Sequence, residues 1–305
     1  MDPIRSENME THSGIGAWLA KKRTPRIALI AGLLPLGLMG LFSAAIVVSI
    51  ANLKGWREAA VDCLIAFGIL LAIVFMVGAE PAQVLVGAAS TWIIAVALGG
   101  LTGTYASLTL SIQAIIVIAV LGLVIFAWVV PDTVIFWEGF LSDFVEQLAG
   151  LGVEVADIGI LLSLAPVMSG MMAASAIVSS LLALLLGSWW ASSAGGPGFR
   201  EMFLQLRLGY VIGAVAALSG IASVFGLGSE AGNLLLVLST GFVFQGFAVM
   251  HWQVARRGWP WPFLLLVYVP FVMGSSLAVA ALFVLAAVGF VDNWYGLRGT
   301  STEVR

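Results

Sequence analysis

Residues 107–130 contain no charged side chain and a single amide, Gln113, and stretches of this character recur along the chain. About 20 consecutive apolar residues are what a helix needs to cross the hydrocarbon of a bilayer. A membrane β-barrel would instead alternate apolar and polar positions over segments of about ten residues. The runs therefore predict helices. Composition agrees: of 305 residues, 61% are hydrophobic and 10% charged, and the mean hydropathy is +1.09. A soluble domain carries roughly a quarter charged residues, so a soluble enzyme is excluded.

Seven candidate spans follow residue 60, at 60–79, 82–99, 107–130, 158–190, 208–226, 232–255 and 263–290. An earlier run, 27–53, has basic residues at both ends: Lys21, Lys22, Arg23 and Arg26 before it, Lys54 and Arg57 after it. The positive-inside rule weighs its two possible paths. A single crossing from a cytoplasmic N-terminus leaves Arg5, Lys21, Lys22, Arg23, Arg26, Arg298 and Arg305 inside. It places Lys54, Arg57, Arg200, Arg207, Arg256 and Arg257 outside, seven against six. If the run enters and returns, only Arg298 and Arg305 lie outside, eleven against two. Pro35, Gly37 and Gly40 interrupt the run where it would turn, so the re-entrant path is preferred, with a kinked single span as the alternative.

The expected fold is thus an all-α polytopic membrane helix bundle of about seven spans plus this N-terminal segment. Residues 1–20 read as a cytoplasmic tail, disordered to about residue 14, 21–295 as one transmembrane domain and 296–305 as a C-terminal tail. Within the domain, 131–157 lacks Lys and Arg but holds Asp132, Glu138, Asp143, Glu146, Glu154 and Asp157. Trp137, Phe140, Leu141, Phe144 and Leu148 recur there at helical spacing, the pattern of an amphipathic helix capping the outer side. Ten of the eleven tryptophans fall near span ends, where an amphipathic ring favours the interface. Trp92 alone is mid-span. The 158–190 run is too long for one straight crossing and is expected to kink at Pro166.

Candidate functional residues are few. After the turn Gly195-Gly196-Pro197-Gly198, the segment from Phe199 through Arg200 and Glu201 to Arg207 reads as a short helix with Arg200, Phe203 and Arg207 near one face. Two such arginines suit a phosphate or a partner's carboxylate, or simply anchor the chain at lipid headgroups. Gln245 and His251 lie in or beside an apolar run that ends at Arg256 and Arg257. Either they face a cavity, with His251 able to carry a proton, or they bond to neighbours. Gln113 needs a partner for the same reason. The small-residue pairs Gly99/Gly103, Gly170/Ala174 and Gly209/Gly213 indicate close helix packing.

A lone cysteine, Cys63, and two histidines predict neither disulfide nor metal site. No catalytic constellation or phosphate loop is visible, so no enzyme activity, cofactor or nucleic-acid partner is expected. No deep charged pair is evident that would suit a proton relay or voltage sensor.

The segment Gly195-Gly196-Pro197-Gly198-Phe199-Arg200-Glu201 with Leu206-Arg207-Leu208 resembles the YybS-like predicted membrane proteins, a domain family of unknown function. Gly246 to His251 with Arg256-Arg257, and Gly289-Phe290-Val291-Asp292-Asn293-Trp294, look like that family's last two helices. The likeness runs from about residue 20. More distantly, the interrupted first run followed by Lys54-Gly55-Trp56-Arg57-Glu58-Ala59 is similar to substrate-binding components of energy-coupling-factor vitamin transporters. That resemblance implies an outward-opening small-molecule pocket and a cytoplasmic docking surface. The reading is a bacterial inner-membrane protein that binds or translocates a small molecule. The alternative is a scaffold recruiting a cytoplasmic partner through its basic loops.

Overall fold

The computed structural model describes residues 14–78, 80–153 and 158–299. The expected N-terminal disorder, and Arg5, His12, Glu154, Asp157 and Arg305, fall outside the described residues. The chain is an all-α polytopic helix bundle, with no strand among those residues. Its α-helices are α1 (Ile15–Lys21), α2 (Arg23–Leu33), α3 (Gly40–Lys54), α4 (Trp56–Val77), α5 (Pro81–Tyr105), α6 (Leu108–Val129) and α7 (Thr133–Gly150). They continue as α8 (Ile158–Leu162), α9 (Met168–Ser192), α10 (Phe199–Leu204), α11 (Tyr210–Val224), α12 (Ser229–Arg257), α13 (Phe263–Met273) and α14 (Ser275–Tyr295).

Among the described residues, seven helical stretches are long and apolar enough to cross a membrane: Gly37–Lys54, Trp56–Val77, Pro81–Tyr105, Leu108–Val129, Ile158–Ser192, Ser229–Arg257 and Ser276–Tyr295. The number agrees with the sequence expectation, but the membership differs. The 208–226 span is the 15-residue α11, about 22 Å long at 1.5 Å per residue and short of a 30 Å hydrocarbon core. The 263–290 span is two helices, because Gly274 takes φ 145°, a conformation that ends α13. Val267 and Leu285 then share one small core with Val243, so the chain folds back at this glycine instead of continuing.

Two compact units make up the structure, Met1–Ile112 with Ser179–Phe203 and Gln113–Val178 with Leu204–Arg305. In the first, residues 27–53 fold as a helical hairpin, the shape the sequence predicts, although its returning arm belongs to Gly37–Lys54, itself one of the seven stretches long enough to cross. Helix α2 has 11 residues, about 16 Å, and cannot cross. It breaks at Leu34-Pro35-Leu36, and α3 returns to the basic end. Arg26, fully buried, ties the start of this hairpin to α4. Its Nε donates to Asp62 Oδ2 at 2.7 Å, Nη1 donates to the Leu19 carbonyl at 3.2 Å, and Nη2 reaches Glu58. Arg23 holds the other Asp62 oxygen at 2.9 Å, and Lys54 meets Glu58 at 3.3 Å. Close to the start of α4, Arg26 and Asp62 are both 0% exposed, and each is paired, as a buried charge requires. The mid-span Trp92 has a comparable task. Its indole N–H donates to Ser43 Oγ at 3.0 Å, and that hydroxyl donates to the Ile30 carbonyl at 2.7 Å, near the end of α2. Gly99 and Gly103 of α5 lie against Val48 and Asn52 of α3, as their spacing predicts.

In the second unit, α7 is the helix expected within 131–157. Asp132 accepts from the Val134 and Ile135 amides at 3.0 Å each, closing its N-terminus. The helix packs through Leu141 and Trp137, whose indole donates to Ser169 Oγ at 2.7 Å, while Phe140 and Phe144 stay exposed. The expected break at Pro166 is present as a tight turn, Ala165–Val167, between α8 and α9. Asn233 of α12 serves both sides of it, donating to the Pro166 carbonyl at 3.0 Å and accepting from the Gly170 amide at 2.7 Å.

Helices α12 and α14 form the most intimate pair of this unit. A Cβ on Gly289 would strike the Phe242 carbonyl, and one on Gly246 would strike the Leu285 carbonyl. Gly289→Val should therefore lower stability by about 1–3 kcal/mol, the usual cost of overpacking. Gly122→Val, at an α6 glycine with nothing within 4 Å, should be near neutral. Thermal midpoints in one detergent compare them, and equal midpoints would contradict the packing.

Candidate functional site

The densest buried polar arrangement of the second unit surrounds residues 205–209, which join α10 to α11 without helical structure. Helix α10 ends at Leu204, so Arg207 is not on the helix carrying Arg200, contrary to the expectation of a shared face. Gly195, at φ 91°, has already turned the chain before α10, and Gly209 takes φ 86° before α11 begins. Without helical bonds, the backbone groups of this strap need other partners.

Four side chains supply them. Arg298 donates from Nη1 to the Leu204 carbonyl at 2.8 Å and from Nη2 to the Leu206 carbonyl at 2.7 Å. Gln245 Oε1 accepts from the Leu208 amide at 2.9 Å, and Gln113 Nε2 donates to the Leu208 carbonyl at 2.9 Å. Asn293 closes Gly209 from both sides, accepting from its amide and donating to its carbonyl at 2.9 Å each. Leu206 and Leu208 point inward, at 0% and 1% exposure.

Asp292 organises these groups. It is 0% exposed, accepts from Gln245 Nε2 at 2.8 Å, and pairs with Arg298 at 2.5 Å. Arg298 can reach it because α14 stops at Gly296. That residue takes φ 60°, and its amide donates to the Asp292 carbonyl at 2.9 Å, so the following residues fold back over the helix end. Arg207 covers the same end, donating to the Asp292 and Asn293 carbonyls at 3.1 and 3.3 Å. A guanidinium there also meets the negative end of the helix dipole. A Cβ at Gly213 would crowd Asn293 Nδ2 at 2.6 Å, so α11 contributes a gap where the amide sits.

Of the sequence candidates, the structure brings together Gln113, Gln245 and Arg207. His251 lies on α12, its Nδ1 against the Phe247 carbonyl at 2.9 Å and its Nε2 at 3.3 Å from the Tyr268 hydroxyl of α13. Arg257 stacks on Trp252 at 5.5 Å and donates to the Leu297 carbonyl at 3.4 Å. This contact places residues 296–298 at the end of the unit that holds Arg207 and Arg257. Sequence counting had put Arg298 on the opposite side, because it took 263–290 as one crossing. Arg256 is exposed, as are Arg200 and Glu201 on α10 of the first unit.

Sequence reasoning missed Asp292, Asn293 and Arg298 as site residues. The available signal was an Asp-Asn pair at the end of an apolar run with an arginine six positions on. Chemically, the arrangement is a clamp: the carboxylate is neutralised by a guanidinium, and the amides are spent on backbone and on that carboxylate. Among the described residues, no three His, Cys, Asp or Glu side chains come together to hold a metal. Comparison of the chain with protein-family models, curated proteins and solved structures gives no match.

Proposed function

We propose that this multi-pass membrane protein is a scaffold of a bacterial inner membrane, with its N-terminus and basic ends in the cytoplasm, presenting a fixed surface to an acidic cytoplasmic partner. One observation carries the reading. The strap 205–209 is a connection that could be a loose loop, yet Arg298, Gln245, Gln113 and Asn293 fix its backbone in one conformation. Its outward side chains Gln205 and Arg207 are exposed, as is Arg256 on the same unit. A rigid, basic surface beside the membrane is suited to recognition, where preorganisation lowers the entropy cost of binding.

A photocrosslinking residue placed at Gln205 tests this in cells. A discrete adduct with a soluble protein is expected, and Arg256→Glu should weaken it. Adducts to lipid alone, or an adduct indifferent to the charge reversal, would sink the scaffold reading. The orientation is tested separately with single cysteines in a Cys63→Ser background. Cysteines at Arg256 and Gly299 should label from the cytoplasmic side, and one at Gly150 from the opposite side. Labelling of Gly299 from the side of Gly150 would contradict the return of the chain through α14.

The second reading is small-molecule binding or translocation, also implied by the resemblance to energy-coupling-factor components. What favours it is the pair of 11-residue helices α2 and α13, each too short to cross. Discontinuous helices of this kind line midplane substrate sites in transporters. Against it, Gln113, Gln245 and His251 already bond to the protein itself. A metabolite screen that raises the thermal midpoint of the purified chain would favour this reading over the scaffold.

A further inference from the structure

In the first unit, residues 14–62 hold six cations, Lys21, Lys22, Arg23, Arg26, Lys54 and Arg57, and only two acids, Glu58 and Asp62. Arg26 is wholly committed to those acids and to the Leu19 carbonyl, but Arg23 and Lys54 are not. Arg23 gives Nε to Asp62 while its side chain remains 52% exposed, and Lys54 shares Glu58 at 34% exposure. Lys21, Lys22 and Arg57 are exposed beside them, with no ion pair to a described residue. Arg57 lies over the ring of Trp56 at 5.4 Å. The two acids are thus covered from inside, and the excess positive charge faces outward.

The neighbouring apolar groups indicate what meets that charge. Helix α1 is docked tightly: a Cβ on Gly16 would strike the Trp190 carbonyl at the end of α9. It buries Leu19 and turns Ile15 and Trp18 outward, at 56% and 40% exposure, three residues apart and so on one face. Trp56, at the start of the first long membrane helix after the hairpin, is 53% exposed. Outward tryptophans close in sequence to exposed cations, Trp18 to Lys21 and Lys22 and Trp56 to Arg57, at the end of apolar spans, match the boundary between headgroups and acyl chains.

We infer that this corner, formed by α1, the start of α2 and the turn between α3 and α4, is a binding site for an anionic phospholipid. Its phosphate is held by Lys22, Arg23 and Arg57, and its acyl chains lie along Trp18 and Trp56. A soluble phosphate would gain nothing from the two indoles, and a zwitterionic lipid would leave the surplus charge unmatched.

The purified full chain in neutral detergent is titrated with phosphatidylglycerol or phosphatidylcholine, and bound lipid is counted by native mass spectrometry. Wild type should take up phosphatidylglycerol in preference, and inorganic phosphate at equal concentration should not displace it. Lys22→Gln with Arg57→Gln should weaken that binding by about fivefold per cation, from the attraction of a surface lysine or arginine for anionic lipid. Neither residue belongs to the Arg26 cluster, and an unchanged thermal midpoint in phosphatidylcholine verifies folding. Arg256→Gln, in the other unit, should stay within about twofold of wild type. Equal uptake of the two lipids by wild type overturns the inference without any variant. Displacement by inorganic phosphate, or a double variant that binds like wild type, overturns it as well.

Discussion

Arg26→Met should destabilise the chain by about 3–5 kcal/mol, the cost of removing one partner from a buried ion pair. The methionine fills much of the volume, but Asp62 Oδ2 and Glu58 lose their common guanidinium, and the Leu19 carbonyl loses its donor. Asp62 retains only Arg23, which is half in solvent. The hairpin of α2 and α3 has few other polar ties to α4, so this loss should release it. A sharply lower thermal midpoint, with early proteolysis after Arg23, is the expected outcome. Adding Asp62→Leu should recover more than half of the loss, because the orphaned carboxylate causes most of it, and the two changes should be strongly non-additive. If Arg26→Met leaves the midpoint within about 0.5 kcal/mol of wild type, the usual range for a surface substitution, the cluster contributes nothing.

Arg298→Ala should cost a similar amount, about 3–5 kcal/mol, and adds a local signature. It strips the Leu204 and Leu206 carbonyls of their donors and leaves Asp292 buried with Gln245 as its remaining side-chain partner. The strap should then open, exposing the bond after Arg207 to trypsin. In the wild type that bond should resist, although Arg207 itself is exposed, because cleavage requires the backbone to leave its clamps. Limited proteolysis with mass mapping distinguishes the cases. Rapid cleavage after Arg207 in both proteins would show the strap to be mobile despite its bonds. Cleavage in neither would show that Arg298 is dispensable to it.

Much of the fold is legible in the sequence because lipid imposes one solution, helices, on every apolar run. Even the returning hairpin at 27–53 is recoverable, since charge at both of its ends favours a return and Pro35 marks the turn. The hairpin at Gly274 is not. Glycine is frequent in membrane helices, and nothing in Val272-Met273-Gly274-Ser275 distinguishes a break from a packing site. That one unseen turn moved Arg298 to the wrong side in the charge count. The candidate site suffered similarly. Gln113 and Gln245 stand out because an amide in an apolar run needs a partner, but their partners are backbone atoms of Leu208, 95 and 37 residues away in sequence. Backbone acceptors leave no mark in composition. Asp292 is marked in the sequence only as an acid after an apolar run, and the fold-back at Gly296 is what brings Arg298 onto it.

The clamp on the strap also orders events in time. Arg298 lies 94 residues beyond Leu204 in sequence. A ribosome adding about 5–20 residues per second therefore delivers the guanidinium several seconds or more after the strap has emerged. During that interval the Leu204 and Leu206 carbonyls lack the donor that holds them in the finished chain. Helices of this unit can enter the bilayer one after another, but its basic surface acquires its final shape only as the last of them arrives. A partner that reads this shape would engage finished molecules and pass over nascent ones.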